Sequence, residues 1–289
     1  MKTRVWIMLF FFFVAFAGKS QLQLQVINTS EVLKADSIDE VLFTAQYEAV
    51  FTPDSLKPDK KDSEVMLLKV GKKCSSFYSY VKYLTDSIIE ADKASGAPLE
   101  VIQEHLKQYN PKIKTILFKN FPSGKTTTLD QLAMSKFICE EKTEMREWVL
   151  HEDTCTVLNY LCKKATCRFK GRDYTAWFTP EIPRSEGPWK LQGLPGLILR
   201  AEDSRGHYTF NCTGIEQQHE LGKITIEKSN RQPISRKDLN KQYERYMADP
   251  IGFIASVNPN MKITITDESG KATSGPKNMS YNPIELTEK

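Results

Sequence analysis

Signatures of catalysis are what this chain lacks. It has no GxSxG elbow to present a serine, no HExxH helix face to hold zinc and no CxxC pair. The nearest approach to a phosphate loop, Gly193-Leu194-Pro195-Gly196, contains a proline, whose missing amide hydrogen removes a donor that an anion cradle needs. Long polar linkers and internal repeats are also absent, so nothing divides the chain after its N-terminal segment. Past residue 20 no stretch is apolar enough to span a bilayer. Charge of one sign is missing too. The formal balance is +4, and removing Met1–Ser20 takes away Lys2, Arg4 and Lys19 and no acid, leaving +1. Nucleic-acid binding needs concentrated positive charge, which interspersed acids deny here.

What is present begins with Lys2 and Arg4, an unbroken apolar run from Val5 to Ala17, and small residues at Ala15, Ala17, Gly18 and Ser20. This is the pattern of a cleaved secretory signal peptide over residues 1–20, with cleavage after Ala17 or Ser20. No cysteine follows it, so a lipid anchor on the new N-terminus is not expected. The destination is the periplasm or the exterior. All six cysteines, Cys74, Cys139, Cys155, Cys162, Cys167 and Cys212, lie in the exported part. In an oxidising compartment they are candidates for disulfides, with a pairing that sequence cannot choose. Cys162 and Cys167 have opposite parity in one strand and are expected on opposite faces.

The exported chain reads as one domain over residues 21–270, with a loosely ordered polar tail at 271–289. The 40% apolar content of the full sequence suffices for a core. Alternation or β-branched and aromatic enrichment predicts strands at 21–26, 41–51, 64–70, 74–78, 113–119, 136–139, 146–151, 155–160, 162–170, 173–179, 197–202, 208–215 and 223–227. Short turns at Glu152-Asp153, Gly171-Arg172 and Ser204-Arg205-Gly206 predict antiparallel neighbours. Two helices are predicted as an insertion over 79–109. A last one opens at Ser235 with capping-box spacing to Asp238 and ends before Pro250. The fold class is α+β: a large curved antiparallel sheet, a meander or half-barrel, with a helical insertion and a C-terminal helix.

The densest local signal is Gly187-Pro188-Trp189-Lys190-Leu191-Gln192 followed by Gly193-Leu194-Pro195-Gly196-Leu197-Ile198. Prolines that fix torsions and glycines that permit close approach, set among large apolar residues, describe a rigid buried corner feeding a strand. With Tyr160-Leu161-Cys162-Lys163-Lys164-Ala165-Thr166, Ala176-Trp177-Phe178-Thr179 and Ile182-Pro183 ahead of it, the chain resembles the GLPGLI family, named for that hexapeptide. The resemblance implies secreted or periplasmic proteins, mainly of Bacteroidota, with no assigned reaction. It is marked over residues 146–215.

Trp177, Trp189 and the hexapeptide Gly193, Leu194, Pro195, Gly196, Leu197 and Ile198 are candidates to line a ligand mouth or to serve as a structural corner. His151, Glu152, Asp153 and Cys155 form the densest set of possible metal ligands, and His207, Cys212 and His219 form another. Neither supplies a set with zinc-site spacing, and no metal or other cofactor is expected. Lys228, Arg231, Arg236, Lys237, Lys241 and Arg245 form a basic stretch that could meet acidic head groups, or could simply be solvated. The function expected is non-enzymatic binding of an apolar small molecule, a lipid or an envelope polypeptide. The alternatives are an accessory protein of an outer-membrane uptake or assembly system and, with least behind it, a metal-dependent hydrolase.

Overall fold

The computed structural model describes residues 12–16, 19–23, 35–217, 222–259, 263–266 and 272–286. Most of the expected signal peptide, residues 24–26 of the first expected strand and His219 lie outside the described residues. A backbone hairpin of β1 (Phe12–Phe16) and β2 (Lys19–Gln23) stands apart from the main sheet.

That sheet has thirteen strands in two antiparallel wings that meet at its centre. The first wing is β3 (Asp36–Phe51), β4 (Asp62–Gly71), β5 (Ser75–Ser79), β6 (Ile116–Lys119), β7 (Lys125–Leu132) and β8 (Ser135–Lys142), each paired with the one before it. The helical insertion, α1 (Tyr80–Ser95) and α2 (Leu99–Gln108), leaves β5 and β6 still hydrogen-bonded to each other. The second wing is β9 (Val149–Val157), β10 (Tyr160–Phe169), β11 (Arg172–Thr179), β12 (Leu197–Asp203) and β13 (Tyr208–Glu216). β13 pairs with the long central β3, and β14 (Lys223–Ile226) extends that ladder. β15 (Gln232–Pro233) adds a short parallel pairing on β8. Then come α3 (Arg236–Ala248), α4 (Pro250–Val257) and a two-residue pairing of β16 (Ile265–Thr266) with β17 (Ala272–Thr273). No helix among the described residues is long and apolar enough to cross a membrane.

One connection dictates the shape. β8 and β9 are ten inter-strand steps apart, about 48 Å in a flat sheet. Only residues 143–148 join them, and the seven virtual bonds from Lys142 to Val149 reach about 25 Å at full extension. The sheet must therefore curl until its wings approach. Their contact is direct: Lys170, in the β10–β11 turn, lies 4.0 Å from the Glu141 carboxylate of β8. The expected half-barrel is thus a consequence of a six-residue link.

The hollow is largely filled by the predicted corner. Leu191, Leu194, Leu197 and Ile198 are buried in the main cluster with Tyr47, Ala49, Met66, Phe77 and Phe178. Tyr47 donates its hydroxyl hydrogen to the Ile198 carbonyl at 2.8 Å, tying the corner to the central strand.

Three local expectations fail for visible reasons. β7 escaped prediction because Thr126, Thr127, Thr128 and Asp130 make it polar, although all four are buried. Glu152-Asp153 is no turn: β9 runs through it, and the register shift there leaves three residues of β9 opposite Lys164 alone. The actual hairpin turn is Leu158-Asn159, both with positive φ (49° and 66°), as a two-residue turn of this hand requires. Around the same irregularity the alternation of β10 breaks, so Cys162 and Cys167 enter one buried cluster rather than opposite faces.

Gly196 is the glycine the corner cannot replace, since a Cβ there would fall on the Thr179 carbonyl. Gly196→Ala is expected to lower the urea midpoint by about 1–3 kcal/mol of stability at unchanged m-value. An unaltered midpoint would show that the close approach is not required.

Candidate functional site

The corner is held from below by charge. Lys119, almost wholly buried, donates from Nζ to the Gly187 carbonyl at 2.7 Å and pairs with Glu186 at 2.6 Å. Ser75 Oγ donates to the same carboxylate at 2.9 Å. Burial pushes the Lys119 ammonium pKa down while Glu186 pulls it up. Above them Trp148 donates its indole hydrogen to the Gln192 carbonyl at 3.0 Å. Trp189 takes a left-handed φ of 49°, unusual for a bulky residue, and packs its ring 5.6 Å from Phe169 and 6.0 Å from Tyr174.

A second anchor crosses the mouth. Arg172, fully buried, pairs with buried Asp203 at 2.8 Å. Its remaining donors reach the last described segment: Nε to Ile284 O at 2.9 Å, and Nη2 to Asn282 Oδ1 at 2.8 Å and Pro283 O at 2.6 Å. Asn282 in turn donates its side-chain amide to Thr52 O and its backbone amide to Pro53 O, both at 2.9 Å. Leu286 N donates to Lys170 O at 3.0 Å, and a Cβ on Gly171 would come within 2.8 Å of Leu286 Cβ. Residues 278–286, within the stretch expected to be loosely ordered, are thus a strap. Its oxygens satisfy guanidinium donors that Asp203 alone leaves unmet.

A third network lies where α3 meets the sheet. Glu141 accepts from Lys190 and from Arg236, each at 2.8 Å, and Glu285 of the strap pairs with Lys190 at 2.6 Å. Burial pushes the Glu141 carboxyl up, but Lys190 and Arg236 outweigh it and hold it down at about 2. Arg236 also donates to Thr128 Oγ1 at 2.9 Å. The basic stretch is therefore split: Arg236 turns inward, whereas Lys241 stays exposed beside Asp238.

Sheet, corner, α3 and strap border a partly open cavity of about 260 Å³. Its apolar wall includes Ala49, Phe77, Leu117 and Phe210 from the sheet and Trp189 from the corner, and Tyr281 and Ile284 of the strap cover it. One end is polar, with Thr115, Thr128, Asp130, Arg236 and Glu285. Asp130 Oδ1 accepts from Gln131 N at 2.8 Å, Tyr243 Oη at 2.9 Å and Thr115 Oγ1 at 3.4 Å. Burial raises the Asp130 carboxyl, and these bonds only partly offset it. A separate groove of about 330 Å³ beside Glu48, Val65 and Lys112 opens to solvent.

Of the sequence candidates, Trp189 reaches the cavity and Trp177 does not. Trp177 is half-buried and packs against the main core cluster, with Lys164 Nζ 6.0 Å from its ring, but does not line the cavity. Leu194, Leu197 and Ile198 are core, Gly193 packs over the Trp148 indole, and Pro195 shares this corner. All six cysteines are free thiols here, Cys155 standing opposite Cys162 on adjacent strands. Burial raises the Cys74, Cys167 and Cys212 thiols to about 12 and Cys162 to about 11, and raises Cys139 and Cys155 as well. None is an activated nucleophile. His151 bonds Thr166 Oγ1 at 2.8 Å, and no group of three metal-ligating side chains occurs among the described residues. Arg172, Asp130, Asn282 and Glu285 had no local signature, because each acts through partners far along the chain.

Residues 168–200 match a family described as a protein of unknown function (Porph_ging). That stretch contains Arg172, Trp189 and Lys190, the residues that anchor strap and corner. No curated protein matches the chain. Two solved structures of PNGF-II, in P21 and C2 space groups, are similar to it at 12% and 11% identity, each with a TM-score of 0.46. Each covers 71% of this chain, which spans about a third of theirs, 33% and 32%.

Removing one partner of the buried pair should leave a charge without a counterion. Arg172→Met is expected to cost about 3–5 kcal/mol in urea denaturation, and adding Asp203→Leu to recover part of that loss. A single variant as stable as the parent would contradict the anchoring role.

Proposed function

We propose that this is an exported protein of the cell envelope, a member of the GLPGLI family, that binds a small, largely apolar molecule in the space beneath the strap. The observation that carries this reading is the cavity itself, about 260 Å³ beside Trp189. Apolar walls with a few converging polar groups are the usual make-up of a ligand site. The signal-peptide pattern of residues 1–20 supports putting such a binder in the periplasm or outside the cell. Catalysis draws no support from the polar end. Burial drives the Tyr243 phenol well up, away from a nucleophilic form, and Asp130 is engaged by neighbours that orient it. These groups recognise rather than react.

A second reading, docking of an envelope polypeptide, rests on β9. This strand ends the sheet and exposes Val149 and Leu150 at 59% and 58%.

Native mass spectrometry of protein purified from its own compartment tests the first reading, with Ala49→Phe as the control. Ala49 is buried against the cavity. Filling the space adds apolar burial of about 0.8 kcal/mol per methylene where it fits. The parent is expected to carry a bound small-molecule mass that the variant loses while melting no lower. A parent with no bound mass that gains no thermal stability from any apolar probe would overturn the reading.

A further inference from the structure

We propose that the ligand is an organic cation, a primary or secondary ammonium on an apolar, preferably aromatic body, seated with its ammonium on Asp130. This rests on the cavity being a binding site, and it names what the polar end selects.

The argument is one of charge and of faces. Around the polar end Asp130, Glu141 and Glu285 stand against Arg236 and Lys190. Lys170 pairs with Glu144 and lies near Glu141, and Arg146 donates its guanidinium hydrogens to the Glu144 and Lys190 carbonyls. The cavity-lining carboxylate that has no ion pair is Asp130. Arg236 and Lys190 are already claimed by Glu141 and Glu285, whereas the three hydrogen bonds to Asp130 come from neutral donors and converge on Oδ1. An anionic head would meet two cavity-lining carboxylates and an arginine already paired. A cationic head would supply the counter-charge that this buried carboxylate does not otherwise have in direct contact.

The walls suit the same ligand. Tyr243, bonded to Asp130, is stacked with Tyr281 of the strap, ring centroids 6.4 Å apart at 16°. Phe77, Trp189 and Phe210 continue the aromatic lining. Ring faces beside a carboxylate attract a desolvated ammonium and pack its apolar body. The ionisable groups coupled to Asp130 are Arg231 and Arg236, which favour its charged form, and Tyr243, whose hydroxyl bonds it. Burial outweighs them, so the empty site keeps a carboxyl with a raised pKa. Such a group favours folding less as pH rises through its titration, because ionising it costs more in the fold than in the open chain. Asp130→Asn should therefore melt no lower than the parent at neutral pH, since the amide oxygen can still accept from Tyr243. A residue that costs stability and is useful only when the cavity is filled has the signature of a recognition group.

The test is calorimetric titration at pH 7.5 with 4-phenylbutylamine, 4-phenylbutan-1-ol and 4-phenylbutyrate, which share one apolar body. The amine is expected to bind about 10- to 100-fold more tightly than the alcohol, and the carboxylate most weakly. Asp130→Asn should erase the amine's advantage while leaving the alcohol within about twofold. Tyr281→Leu, on the strap and independent of the carboxylate, should reduce that advantage by about threefold to tenfold. Acidification should weaken the amine and not the alcohol, beginning above the ordinary aspartate range. Equal affinity for all three probes, or full amine affinity in Asp130→Asn, would overturn the cation assignment and leave the cavity reading standing. Failure of every probe to bind the parent would overturn both.

Discussion

The contact between Arg172 and Asp203 is the interaction on which the rest of this molecule depends. Neither side chain meets solvent, and a guanidinium taken out of water is tolerable only when its donors are met. One carboxylate cannot do that alone. The strap supplies the missing acceptors through the carbonyls of Pro283 and Ile284 and the amide oxygen of Asn282. Desolvation at the start of β11 thereby fixes where the last described residues of the chain lie, and through them the cover of the cavity. Tyr208 ties the two halves together, donating its backbone N–H to Asp203 Oδ1 and lying 4.8 Å under the guanidinium.

The same logic explains why the interior is a plug with a gap. A six-residue link between opposite wings forces curling, and curling creates a hollow too wide for strand side chains alone. The Gly/Pro corner fills most of it, held by Lys119 and Glu186 beneath and by Tyr47 at the centre. What it leaves is bounded by elements of separate origin: sheet, corner, α3 and strap. Arg236, Lys190, Glu141 and Glu285 join all four of these in one charged cluster, so the cavity's polar end doubles as the clamp between them. Placing an ionisable group such as Asp130 at that end costs stability, which is intelligible if it is there to meet a ligand.

Much of the architecture was legible in the sequence. β-branched alternation marked most strands, Ser235 and Asp238 marked the start of α3, and the corner announced itself through glycine, proline and tryptophan. The illegible parts share a cause. β7 is buried with threonines and an aspartate on it, so hydropathy could not mark it. Glu152-Asp153 resembles a turn because a bulge, like a turn, exposes polar residues. Trp177 looked equivalent to Trp189, but it packs half-buried against the main cluster and does not line the cavity. Arg172 read as part of a turn, and Asn282 and Glu285 as part of a polar tail, since the partners of Arg172 and Asn282 are 31 to 112 positions away and those of Glu285 are in the corner and α3. The site is a product of long-range closure, and local pattern carries no record of it.

Backbone hydrogen exchange across the strap tests the central claim most directly, because Asn282 and Leu286 bond outward to Pro53 and Lys170 rather than within a helix or strand. If the buried arginine pins this segment as argued, their amides should exchange as slowly as those of β3, opening only with global unfolding. Exchange at the rate of an unstructured chain, with β3 still protected, would contradict it.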